Sequence, residues 1–146
     1  MRKLPYIFLA LLLSLTALAK EKTIDQLKAE AEKSHGGHQA EIYAELARAL
    51  VDVADQQFTA GDTAKGHQTV QEILADATRA HDGAVSARKK MKDVEIRLRE
   101  TQRHLENVRR TLAADDRPPI EAVEKKLADF RQDLLNAMFA PRKKNK

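Results

Sequence analysis

The chain reads as an all-α protein, elongated, built as antiparallel coiled-coil hairpins around one long central helix. Three observations predict this. Val70, Ile73, Ala77, Ala80, Ala84, Ala87, Met91, Val94, Leu98, Thr101, Leu105, Val108 and Leu112 follow one another in alternating steps of three and four. That spacing is the a/d seam of a coiled coil. Charged residues make up 33% of the sequence and aromatics 4%, which suits narrow seams of Leu, Val and Ala better than a thick core. No segment alternates with the two-residue period of a strand. The competing arrangement is a compact four-helix bundle made by a bend at Gly83.

The first residues have the form of a targeting segment. Arg2 and Lys3 precede an apolar run from Leu4 to Leu15, and Ala17-Leu18-Ala19 is a small-x-small cleavage site. This predicts a signal peptide over 1–19 and a soluble exported chain, periplasmic or extracellular, over 20–146. The apolar run is shorter than the ~20 residues a spanning helix needs. Cysteine is absent, so the mature domain would rely on helix packing without disulfides.

Within 20–62 two helices are expected. Thr23-Ile24-Asp25-Gln26 matches a capping box and opens a short helix with Ile24, Leu27 and Ala31 on one face. Gly36-Gly37 ends it. A second helix runs from Gln39 to Ala60, with Tyr43, Leu46, Leu50 and Val53 as its stripe and Ala47, Ala54 and Phe58 widening it. Gly61 supplies a left-handed cap and Asp62 caps the next helix. A connection this short makes the flanking helices antiparallel neighbours.

The long helix is expected over 63–113, about 75 Å at 1.5 Å per residue. It passes through His81-Asp82-Gly83, which otherwise reads as a stop. Its middle, Ala77 to Ala87, buries little apolar area and should be its least stable part. Asp115-Asp116-Arg117-Pro118-Pro119 ends it, with Arg117 and Pro118 extended because residues before proline avoid the α region. A last helix over 119–139 carries Ile120, Val123, Leu127, Phe130, Leu134 and Ala137. Residues 141–146 form a basic tail. One last helix cannot cover both faces of such a spine, so self-association as a dimer is expected.

The segment Tyr43 to Ala80 resembles a single tetratricopeptide-type helical hairpin, with Phe58 before the turn, Gly61-Asp62 in it and Gly66 early in the second helix. In that family stacked hairpins bind peptides or partner proteins. The resemblance covers less than a third of the mature chain, and no second copy follows at the family's 34-residue period.

Charge divides the chain. Lys20 to Gly83 holds 7 basic and 12 acidic residues, and Ala84 to Lys146 holds 17 basic and 10 acidic. Part of this is internal pairing at i,i+4, as in Glu95–Arg99 and Glu106–Arg110. The excess in the second half, concentrated in Arg88-Lys89-Lys90-Met91-Lys92 and the tail, fits an anionic envelope surface. Nucleic acid is not expected, because no aromatics alternate with the cations to stack on bases.

Candidate chemistry centres on histidine. His35-Gly36-Gly37-His38 lies in the first loop, which the antiparallel pairing brings near His81. Three imidazoles converging there would bind zinc, copper or nickel. Glu32 and His35 have the i,i+3 spacing of di-iron bundles, but no second such pair exists. Ser34 and Ser86 lie in no nucleophile elbow, no glycine-rich phosphate loop occurs, and Asp115-Asp116 reads as turn chemistry. The sequence therefore predicts a non-enzymatic exported protein without a cofactor. It would act by protein–protein contact or as a structural envelope component, with a small-ligand or metal-binding bundle as the alternative.

Overall fold

The computed structural model describes residues 21–141; the expected signal peptide and the tail 142–146 lie outside the described residues. Five α-helices follow one another: α1 (Ile24–Lys33), α2 (Gly36–Thr59), α3 (Thr63–Ala87), α4 (Met91–Thr111) and α5 (Pro118–Phe139), with a 3-10 turn at Ala114–Asp116. There is no strand among the described residues.

Helix α1 starts on its capping box. The Gln26 amide donates to Thr23 Oγ1 at 3.2 Å, and the Thr23 amide donates to Gln26 Oε1 at 2.9 Å. Its buried Leu27 and Ala31 meet Ile42 and Leu46 of α2 in a small core of their own. The opposite side of α2 carries a seam of small residues, Ala40, Ala44, Ala47, Val51 and Ala54, in steps of four and three, each at most 1% exposed. These pack in one core with Ala77, Ala80 and Ala84 of α3. The alanine stretch is thus a dry, close-packed seam, because the partner helix is as small-faced as it is. Small side chains on both helices bring the axes near enough to exclude water.

The continuous helix expected over 63–113 is two helices. Arg88 (φ 51°) and Lys90 (φ 62°) both take the left-handed conformation and reverse the chain within three residues. Gly83 is not the break. It lies inside α3, where an added Cβ would stand 3.1 Å from the Ala40 Cβ, so its role is close approach to α2. The seam keeps its phase across the break: Val70, Ile73, Ala77, Ala80 and Ala84 on one side and Val94, Leu98, Thr101 and Leu105 on the other are all fully buried. The period marks which residues face the core. It does not require one unbroken helix to do so.

This break rearranges the expected spine. Helix α2 packs along both α3 and α4, and α5 packs along both α3 and α4. Phe58 meets Gly66 and Ala40 meets Gly83, so α2 and α3 are antiparallel. Arg131 reaches Glu95 and Arg109 reaches Glu121, so α4 and α5 are antiparallel. His67 lies by Asp116 and His81 by Asp133, so α3 and α5 are parallel. Helices α2 and α5 thus both lie against the α3–α4 pair.

Two smaller expectations also change. Gly36 and Gly37 do not end α1, which stops at Lys33; they are the first residues of α2. Arg117 is helical (φ −75°, ψ −40°) although a proline follows it. Its Nε donates to the Leu112 carbonyl at 2.9 Å, satisfying a free carbonyl at the end of α4 and holding the turn into α5. Gly61 (φ 80°) and the Asp62 cap, which accepts from the Lys65 amide, stand as the sequence implies.

Candidate functional site

The α3–α4 hairpin rests on the glycine pair that opens α2. A Cβ on Gly37 would lie 2.7 Å from the Lys89 Cβ and 3.1 Å from its carbonyl oxygen. Only glycine leaves room for the hairpin backbone there. Gly36 itself is left-handed (φ 61°) and faces Ala87. Around this contact lies an open cleft of about 660 Å³ lined by His35, Gly36, Gly37, His38, Ala87, Lys89 and Lys90.

The hairpin carries the basic run. Arg88, Lys89, Lys90 and Lys92 are all exposed. Lys90 Nζ lies 3.2 Å from Glu41 Oε2 and 3.4 Å from Asp93 Oδ2. The Glu41 hydrogen bond, followed by the Glu41 charge, holds this ammonium above its ordinary pKa. Among the described residues, Arg88, Lys89 and Lys92 have no carboxylate within ion-pair distance. Left-handed backbone costs a side-chain-bearing residue roughly 1–2 kcal/mol, and two such residues, Arg88 and Lys90, occur two positions apart. Strain of this kind, over-determined by its surroundings, collects at functional sites.

The three histidines expected to converge do not. His38 stands between Glu30 (3.6 Å) and Glu41 (3.7 Å), tying α1 to α2. His35 is an exposed N-terminal flank of α2. His81 turns away from both: its Nδ1 lies 2.8 Å from Asp82, its Nε2 3.6 Å from Asp133, and its ring stacks on Phe130 at 4.7 Å. The reason is helical phase. Residues 81 and 83 are about 200° apart on a helix, so Gly83 faces the start of α2 and His81 faces α5. Among the described residues no three His, Cys, Asp or Glu side chains are placed to hold a metal ion.

Other grooves among the described residues include two of similar size. One, about 460 Å³, lies between α1, α2 and α4 and is lined by charges of both signs, including Lys22, Glu45, Arg48, Arg97 and Glu100. The other, about 480 Å³, lies between the parallel α3 and α5 over Leu74, Pro119, Ala122 and Val123. No helix among the described residues is long and apolar enough to cross a membrane.

The sequence exposed the basic run but missed its seat. The signal available was the Gly36-Gly37 pair, since adjacent glycines mark close backbone approach as well as helix ends. Comparison with known protein families, curated proteins and solved structures finds no match to this chain.

Proposed function

We propose that this chain is an exported, non-enzymatic helical protein of the cell envelope that acts by surface contact. Its contact surface is the pole formed by the α3–α4 hairpin, and the partner is anionic. The observation that supports the reading is the strained hairpin itself. Two left-handed residues, Arg88 and Lys90, are held over Gly37 so that Arg88, Lys89 and Lys92 point cations at solvent without carboxylate partners. A hairpin whose only task was to join two helices would carry glycine at those positions.

The experiment is sedimentation of the mature chain with anionic vesicles, and separately retention on immobilised dextran sulfate, each at low and high salt. Binding to both that weakens with salt is expected. The triple variant Arg88→Glu/Lys89→Glu/Lys92→Glu should lose it while keeping its helical circular dichroism. Failure of the wild-type chain to bind either anion, or equal binding by the variant, would overturn the reading.

A further inference from the structure

Phe139 is 82% exposed, the largest exposure of any large apolar side chain among the described residues. Single exposed apolar residues are common and by themselves mean little. The place of this one is informative. His81 and Asp133 mark one level of the parallel α3–α5 pair. Six residues further, about 9 Å along each helix, α3 reaches Ala87 and the basic hairpin while α5 reaches Phe139. Val85, 37% exposed, lies at the same end. The sequence after Phe139 continues through Pro141 into Arg142-Lys143-Lys144-Asn145-Lys146. Five residues past the buried Leu134, Phe139 stands well off the core-facing side of α5.

We propose that this pole docks on an anionic lipid bilayer, with Phe139 entering the interfacial layer and the hairpin cations on the headgroups. This rests on the reading that the pole contacts an anionic surface, and it selects lipid as that surface. A soluble polyanion or an acidic protein surface engages the cations and leaves Phe139 in water. A bilayer interface accepts both, because aromatic rings favour the headgroup level and basic residues are drawn to anionic lipid.

The chain contains no tryptophan, so Phe139→Trp makes a single-tryptophan reporter in the otherwise intact mature protein. With vesicles of mixed phosphatidylglycerol and phosphatidylcholine, its emission should shift to the blue and be quenched by lipids brominated near the headgroup. Phe139→Ala should bind those vesicles about tenfold more weakly, with dextran sulfate retention unchanged. Unshifted emission on vesicles that do sediment the protein overturns the lipid assignment and leaves the electrostatic reading standing. So does retention on dextran sulfate without vesicle binding. Absence of binding to either anion overturns both readings.

Discussion

Gly37 and Lys89 meet backbone to backbone: a Cβ on Gly37 would fall 3.1 Å from the Lys89 carbonyl oxygen and 3.2 Å from its carbonyl carbon. Neither atom is the free end of a flexible side chain, so the hairpin itself must shift to admit a methyl group. Gly37→Ala gains up to ~1 kcal/mol in helix propensity but incurs overpacking of roughly 1–3 kcal/mol. The expected result is a lower urea midpoint together with weaker anionic-vesicle binding. A variant as stable as wild type would show that the hairpin is not seated on this glycine.

Gly66 and Gly83 separate two uses of glycine in one helix. A Cβ at Gly66 would lie 2.6–2.7 Å from three atoms of the Phe58 ring, whereas one at Gly83 would meet the Ala40 Cβ at 3.1 Å. Gly66→Ala should destabilise by about 1–3 kcal/mol, and a second change, Phe58→Leu, should recover part of the loss in a double-mutant cycle. Gly83→Ala should stay within about 1 kcal/mol of wild type, because propensity and crowding nearly cancel. If equilibrium unfolding shows Gly83→Ala gaining the full propensity difference, close approach to Ala40 is not why glycine stands there.

How far the fold was legible follows from these same residues. Burial was legible: the seam from Val70 to Val108 is buried except at Ala87 and Met91, where the hairpin opens it to partial exposure. Continuity was not. Arg88, Lys89 and Lys90 are ordinary helix formers, and nothing in their side chains announces a left-handed backbone. Gly83 supplies the bend in the competing bundle arrangement because a helix-internal glycine is costly unless a neighbouring helix needs the space, and that neighbour is visible only in three dimensions. Part of the alanine seam of α2 was hidden for a related reason: Ala47 and Ala54 stand in the expected stripe, whereas the equally buried Ala40 and Ala44 do not. Alanine favours helix at buried and exposed positions alike, so it reports little about which face is covered. The cations of the candidate site could be read directly, but their presentation depends on the tertiary contact at Gly37.

Arg131 joins α5 to α4 by two hydrogen bonds, Nε to Glu95 Oε1 at 3.0 Å and a terminal guanidinium nitrogen to Gln102 Oε1 at 2.8 Å. The Glu95 side chain is 9% exposed, and its other cation, Arg99, stands 3.7 Å away. Arg131→Ala leaves that carboxylate only the more distant Arg99 and should cost up to about 3 kcal/mol in urea unfolding. Replacing both partners, Glu95→Leu with Arg131→Met, should be near neutral, because no charge is then left buried. A double variant as damaged as the single one would mean that Arg131 acts through packing alone.

Asp76 gives a pH signature. It is 6% exposed, and burial raises its pKa, opposed by the hydrogen bond and charge of Arg79. A carboxyl whose folded pKa lies above its unfolded value holds its proton more tightly when folded. The resulting penalty is absent below the unfolded pKa, grows as pH rises through the carboxylate range, and is complete above the folded pKa. Asp76→Asn removes that penalty and can still accept a hydrogen bond from Arg79. Its melting temperature should exceed wild type at pH 7, with the gap closing on acidification toward pH ~3. A gap that widens on acidification would reverse the assigned sign.

Arg88 sets stability against contact in one residue. Its left-handed backbone (φ 51°, ψ 35°) is strained for a residue with a Cβ, and no carboxylate pairs with its side chain among the described residues. Glycine relieves the strain while loosening the unfolded chain, so Arg88→Gly should gain about 0.5–1 kcal/mol net. It also removes one cation from the pole, worth about 1 kcal/mol at an anionic bilayer, or roughly fivefold in vesicle binding. The two effects should appear together, a higher urea midpoint with weaker and less salt-sensitive binding. Arg88→Ala separates their causes, since it loses the cation and keeps the strain. If Arg88→Gly proves less stable than wild type, the arginine side chain supports the fold and the strain has no functional reading; if both variants bind as wild type, the cation is not part of the contact.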